Sequence, residues 1–201
     1  MADVVNKAQA QLARMLSQMF EQADDKLFEF SSKQDGAMAA EFMEGFRQLR
    51  RARPQVEQRF ASLLDAAAKP AQDNPSLTLA GLSLVGDEQL EEDIAIANMS
   101  KQAAGHFANE LDALTRRITL MRGGDPQAEP DHDANPIGPL AVATAFRKAM
   151  EPVPELGYNV RAVVYKIFDR AVMARLGEVY EPANDALATS GVLSDIKIVR
   201  K

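Results

Sequence analysis

Residues 42–67, FMEGFRQLRRARPQVEQRFASLLDAA, decide the fold class. Apolar side chains recur at Phe42, Phe46, Leu49, Val56, Phe60, Leu63 and Ala67, with Arg53 in the one remaining place, and the steps alternate between four and three. That pattern is the heptad seam of a helix packed lengthwise against another. A strand would put Phe42 and Leu49, an odd number of residues apart, on opposite faces. Pro54 lies inside the run, where a straight helix interior loses about 3 kcal/mol. Because the seam keeps its phase across it, the expectation is a kinked helix, or two abutting helices, rather than a loop.

Working toward the N-terminus, Val5, Ala8, Leu12, Met15, Leu16, Met19, Phe20, Ala23, Leu27 and Phe30 form a second stripe at steps of three and four. No Gly or Pro interrupts it. Ser31, Ser32 and the turn Gln34-Asp35-Gly36 end it, so two helices of about 3–30 and 36–68 are predicted to form an antiparallel hairpin. Toward the C-terminus, 70–86 (PAQDNPSLTLAGLSLVG) reads as a packed loop. A third long helix is predicted over about 87–122. Asp87, Glu88, Glu91, Glu92 and Asp93 stand at its start and Arg116, Arg117 and Arg122 at its end, as the helix dipole favours. Its stripe reads Leu90, Ile94, Ala97, Ala104, Ala108, Leu111, Leu114, Ile118 and Met121.

The stretch 123–137 is an acidic, turn-rich loop whose first half is expected to be disordered. Helix resumes near Pro139, carries Leu140, Ala143, Phe146, Arg147 and Met150, and ends at Pro152 and Pro154. A further helix over about 158–180 gathers Val160, Val163, Val164, Ile167, Phe168, Ala171, Val172, Leu176 and Val179 on one face. Pro182 opens a last short helix that Gly191 terminates. The predicted fold is therefore all-α and elongated: a long-helix bundle (1–122), the acidic loop (123–137), and a smaller C-terminal helical group (138–201) packed on the bundle. The tail Ile196-Lys197-Ile198-Val199-Arg200-Lys201 carries no stop signal, as if the chain continued.

Composition narrows the function. The chain has 201 residues, 46% of them hydrophobic, with 23 Lys plus Arg against 29 Asp plus Glu and a formal net charge of −6. This is enough for one domain with a substantial core, and it argues against a nucleic-acid binder built on a basic field. Cysteine is absent, which excludes disulfides, thiolate catalysis and Cys-type metal centres. No apolar run reaches the roughly 20 residues of a membrane span, and the N-terminus lacks the pattern of a signal peptide. The expectation is a cytoplasmic protein that binds no nucleic acid, no membrane and no cofactor.

Arg47, Arg50, Arg51, Arg53 and Arg59, opposed by Glu57, make a local basic patch on this acidic chain. Arg47, Arg50 and Arg51 share one helix face, a spacing suited to forked contacts with phosphate or a carboxylate-rich partner. The alternative is that they pair with acids on neighbouring helices. Arg53, on the seam, needs a buried or half-buried acceptor. His106 points away from the predicted stripe, as a phosphoacceptor in a histidine phosphotransfer bundle would, although Phe107-Ala108-Asn109 replaces the usual Lys and Gly. The plainer reading is a solvated surface histidine. Asp131-His132-Asp133 offers ligand types for a metal, but three neighbouring loop residues without a second cluster seldom hold one, and no metal site is expected. Lys166, Asp169 and Arg170 are placed to orient the segment 135–139. No nucleophile triad, paired-carboxylate motif or Gly-rich phosphate loop is present, so catalysis is not expected.

Several runs together resemble a known family. They are Phe46–Phe60 (FRQLRRARPQVEQRF), Leu82-Ser83-Leu84-Val85 with Glu91-Glu92, Asn135-Pro136-Ile137-Gly138-Pro139 followed by Ala145-Phe146-Arg147, Val164–Arg170 (VYKIFDR), and Leu176-Gly177-Glu178-Val179-Tyr180. In this order they are similar to the N-terminal region of a large bacterial family, domain of unknown function 1631. The resemblance implies a longer, multidomain cytosolic bacterial protein. Some members are labelled thymidine phosphorylase, a label at odds with the missing phosphate loop, and the C-terminal part of others resembles the PilZ domains that bind cyclic dinucleotides. It brings no catalytic residues. The expected function is a helical interaction or scaffolding module with a protein partner, or alternatively a phosphotransfer module using His106. A homodimer through the long helices is also expected, because the C-terminal helices are too short to cover stripes near 50 Å long.

Overall fold

The computed structural model describes residues 2–69, 87–153 and 156–196, apart from the side chains of residues 2 and 87–90. The expected loop at 70–86, the stripe position at Leu90, Pro154 and the tail beyond Ile196 lie outside the described residues. Among the described residues there are seven α-helices: α1 (Ala2–Lys33), α2 (Gly36–Ala68), α3 (Asp87–His106), α4 (Ala108–Met121), α5 (Pro139–Met150), α6 (Tyr158–Ala171) and α7 (Gly177–Thr189), with a 3-10 turn at Met173–Arg175. No strand occurs among the described residues. The fold is an all-α bundle. No helix among them is long and apolar enough to cross a membrane.

The hairpin α1–α2 forms as the stripes require. Gly36 takes φ +62° at the turn, a conformation that side-chain-bearing residues rarely adopt. Every predicted stripe residue of α1 from Val5 to Leu27 is buried, with Phe30 packed at the edge of the core. On α2 the buried side chains are Phe42, Leu49, Val56, Phe60 and Leu64, with Phe46 and Leu63 half-buried. Pro54 stays within one continuous helix, on its exposed side, where water reaches the carbonyl that its missing N–H leaves unpaired. α1 also packs on α6 and α7, α2 on α5, α3 on α5, and α4 on α7. Helices α5–α7 thereby share one core with the hairpin and with α3–α4.

Two predicted long helices are broken. The one expected over 87–122 stops at His106, and Phe107 (φ −106°, ψ 28°) separates α3 from α4. Phe107 places its ring edge-on to Tyr180, 6.0 Å between centroids, against the backbone at Gly177. Gly105, a poor helix former, precedes the break. The buried face of α3 is also not the predicted one. Ile96, Met99, Ser100 and Ala103 point inward, Ala104 is half-buried, and Ile94, Ala97 and Ala108 are exposed.

The helix expected over 158–180 ends at Ala171, because Val172 (φ −119°, ψ −63°) and the 3-10 turn redirect the chain. α7 then starts at Gly177, so Pro182 lies inside it rather than opening it. The break escapes the periodicity because Val172, Leu176 and Val179 remain buried on both sides of it. α6 itself is preceded by Gly157 at its N-cap, which has no side chain to cap the helix. Glu41 of α2 does so instead, accepting hydrogen bonds from the backbone N–H (3.2 Å) and side-chain amide (3.0 Å) of Asn159.

The acidic loop is a series of turns drawn onto the bundle. Arg116 donates to the carbonyls of Pro126 (2.6 Å) and Ala128 (3.1 Å), and Arg122 to those of Ala134 (3.2 Å) and Ala68 (3.4 Å). Its last residues are buried: Asn135 donates to Thr115 Oγ1 (3.0 Å) and accepts from the Ile137 N–H (3.1 Å), while Tyr180 donates to the Ile137 carbonyl (3.1 Å).

The premise of the predicted dimer is also altered. The apolar stripe of α1 is covered within the chain, and the large apolar side chains left exposed among the described residues are Phe28, Met38, Ile94, Leu120 and Tyr158.

Candidate functional site

The five arginines of α2 divide into two groups. Arg53 and Arg59 are fastened inward. Arg53 donates to the Ser17 hydroxyl (2.7 Å) and carbonyl (3.2 Å) and to Glu57 (2.9 Å), with its guanidinium 5.7 Å from the Phe20 ring centre. It is the half-buried pairing that its seam position demands. Arg59 donates to the Lys148 carbonyl (3.0 Å) and to Glu151 (3.2 Å).

Arg47, Arg50 and Arg51 face water. Arg47, 68% exposed, lies 3.8 Å from Glu44, and Arg50, 62% exposed, lies 3.5 Å from Asp24 of α1. Arg51 is exposed and makes no hydrogen bond or ion pair with a described residue. Pairs so exposed contribute little, about 0–1 kcal/mol. The Arg50 guanidinium also stands 5.3 Å from the centre of the Phe46 ring, whose other neighbour is Phe28, 6.2 Å away and 56% exposed. Basic forks beside an accessible aromatic pair form a surface with both charge and apolar content.

His106 is exposed at the C-terminal end of α3, with its ring edge-on to Phe107 at 4.6 Å. His132 is drawn away from its sequence neighbours: Nε2 lies 3.2 Å from Asp112 of α4, which also accepts from Arg116 at 3.2 Å. Asp131 spends one carboxylate oxygen on the backbone N–H groups of Asp133 and Ala134. No group of three or more candidate ligands gathers among the described residues. His132, Asp112 and Arg116 instead border a polar hollow of about 640 Å³ beside Asn109 and Gln127.

Lys166 and Asp169 do not orient the segment 135–139, which Thr115 and Tyr180 hold. They line a different feature, a cleft of about 380 Å³ between α3 and α6. Glu92 of α3 accepts a short hydrogen bond from Arg161 and a longer one, 3.4 Å, from the Tyr165 hydroxyl. Burial pushes the Tyr165 hydroxyl well above the usual tyrosine range, and the neighbouring Glu92 adds to this. The sequence reading did not single out Glu92, Arg161 or Tyr165 as a group.

It also missed Arg117, which is 1% exposed. Arg117 donates to Asn184 Oδ1 (2.5 Å) and to the carbonyls of Val192 (3.1 Å) and Leu193 (3.1 Å). Assigning it to the helix dipole with Arg116 and Arg122 overlooked its register. Three residues after Leu114 and four before Met121, it falls on the same face as the stripe.

Over residues 1–191 the sequence matches the family model described as "Protein of unknown function (DUF1631) N-terminal domain". No curated protein and no solved structure matches it. The match covers nearly the whole chain, and the chain therefore belongs to the DUF1631 family, through its N-terminal domain.

Proposed function

We propose that this chain is a helical interaction module rather than an enzyme, part of a cytosolic regulatory protein, with the Arg47–Arg50–Arg51 face of α2 as its contact surface for a protein partner. One observation carries this reading. Arg53, Arg59, Arg116, Arg117 and Arg122 are committed to acceptors within the fold, whereas these three arginines keep their forks in water beside Phe28 and Phe46. Arginine and aromatic side chains are the residue types that concentrate binding energy at interfaces.

The test uses the intact chain as bait, alongside the double variant Arg47→Glu with Arg51→Glu. The expected outcome is a partner whose capture weakens as salt rises and disappears with the double variant, while the variant's melting temperature is unchanged. A collapse in melting temperature would make these arginines structural. Nucleoside turnover by the pure chain, abolished by a point substitution, would make it an enzyme. The exposed position of His106 favours one second reading, phosphotransfer. Acid-labile phosphate confined to that residue after incubation with a histidine kinase would support it.

A further inference from the structure

From the cleft between α3 and α6, we infer a binding site for a small organic amine: a compact apolar body carrying one ammonium group, seated between the two helices with the ammonium at Asp169. The inference concerns a different surface from the α2 arginine face and stands apart from the reading above.

Geometry supplies the first part. α3 and α6 run side by side in the same direction. Glu92 near the start of α3 meets Arg161 and Tyr165 in the first half of α6, and α3 also contacts the 3-10 turn that follows α6. The Glu92 clamp is the one place where a hydrogen bond or ion pair joins these helices among the described residues, and beyond it they stand apart. The gap measures about 380 Å³, within the range of small-molecule sites and in a location that helical bundles commonly use for them. Ala95 and Ala162 leave it open, Met99 and Tyr165 give it an apolar floor, and Tyr158, 59% exposed, stands at its rim.

Electrostatics supplies the ligand's charge. Glu92 and Arg161 neutralise each other in the clamp. The remaining ionic side chains of the lining are Glu91, Lys166 and Asp169. Glu91 and Lys166 are exposed and hydrated. Asp169 is half-buried and accepts no hydrogen bond from a described residue. Burial raises its carboxyl above the usual aspartate range against the pull of Arg170. A desolvated carboxylate without a donor is costly, and an incoming ammonium offers both donors and charge. A carboxylate ligand would face Asp169 and Glu91 with Lys166 as its sole unpaired cation, so an anion is disfavoured. The apolar floor at Met99 and Tyr165, one turn of α6 before Asp169, takes the hydrocarbon body.

The test is calorimetric titration of the intact chain with phenethylamine, 2-phenylethanol and 3-phenylpropanoate, which share an apolar body and differ in charge. The inference expects phenethylamine to bind at least tenfold more tightly than the alcohol, and the carboxylate to bind most weakly. It also expects Asp169→Asn to weaken phenethylamine at least tenfold while leaving the alcohol unchanged. Ala162→Leu, which fills the cleft, should weaken both. If circular dichroism shows that Ala162→Leu does not fold, Asn98→Lys, at an exposed position of the same lining, replaces it, with weaker phenethylamine binding expected. Equal binding of amine and alcohol, retention of phenethylamine affinity in Asp169→Asn, or no phenethylamine binding at millimolar concentration would each overturn the inference.

Discussion

Replacing Arg117 with methionine removes a charge from the interior while keeping a side chain of comparable length. Three acceptors lose their donor: Asn184 Oδ1, on a residue 1% exposed, and the carbonyls of Val192 and Leu193, on half-buried residues. A hydrogen bond from a charged donor to a buried acceptor contributes roughly 1.5–3 kcal/mol. Each carbonyl, partly reachable by water, adds about 0.5–1.5 kcal/mol. The methionine hydrocarbon offsets about 1 kcal/mol by filling the space. The net expectation is a loss of about 1.5–5 kcal/mol, a large share of the roughly 5–15 kcal/mol that holds a domain folded. Arg117→Lys, a point charge without the fork, should cost about half as much. Urea unfolding followed by circular dichroism measures both. Amide hydrogen exchange adds a local readout, since the Val192 N–H, bonded to the Leu187 carbonyl at 3.0 Å, should lose protection first. A loss below about 1 kcal/mol for Arg117→Met, with Val192 protection intact, would refute the view that this arginine ties the end of α7 to α4.

Asn135→Ala breaks the buried bonds to Thr115 and Ile137 and is expected to cost about 2–3 kcal/mol in urea unfolding. Arg53→Ala should cost about 1–2 kcal/mol, because it leaves Ser17 and Glu57 without their shared donor, whereas Arg51→Ala should stay within about 0.5 kcal/mol of the parent; equal effects would erase the division between inward and outward arginines. Lys26 and Lys33 hold the Glu29 carboxyl down at about 2. A depressed carboxyl stabilises the fold above its unfolded pKa and loses that contribution as pH falls toward 2, so carbon-detected NMR should find the Glu29 midpoint near 2 in the folded chain. Asp169 carries the opposite sign: its carboxyl is raised by burial, so its ionisation opposes folding above the usual aspartate range, and Asp169→Asn is expected to leave stability at pH 7 unchanged or slightly higher in thermal melts.

The hairpin was legible because a helix repeats its neighbours every three or four residues, so a stripe that must be buried writes itself into the chain. Val5 through Leu27 and Phe42 through Phe60 needed nothing more, and Arg53 announced its need for an acceptor by standing on that stripe. Where two stripes compete, periodicity does not choose. Ile94 and Ala97 are as apolar as Ile96 and Met99, and packing against α5 decided which pair turned inward. Helix breaks are hidden for the same reason. At Phe107 and at Val172 the apolar spacing runs on through the break, and the chain bends because Phe107 finds Tyr180 and because α7 packs on α4. The pairings that build the sites, Arg117 with Asn184, Glu92 with Arg161 and Glu41 with Asn159, join residues 67 to 118 positions apart. Local spacing cannot encode such partners. Only the approach of helices far apart in the chain brings an arginine to its acceptor, and only their failure to close leaves a cleft between α3 and α6.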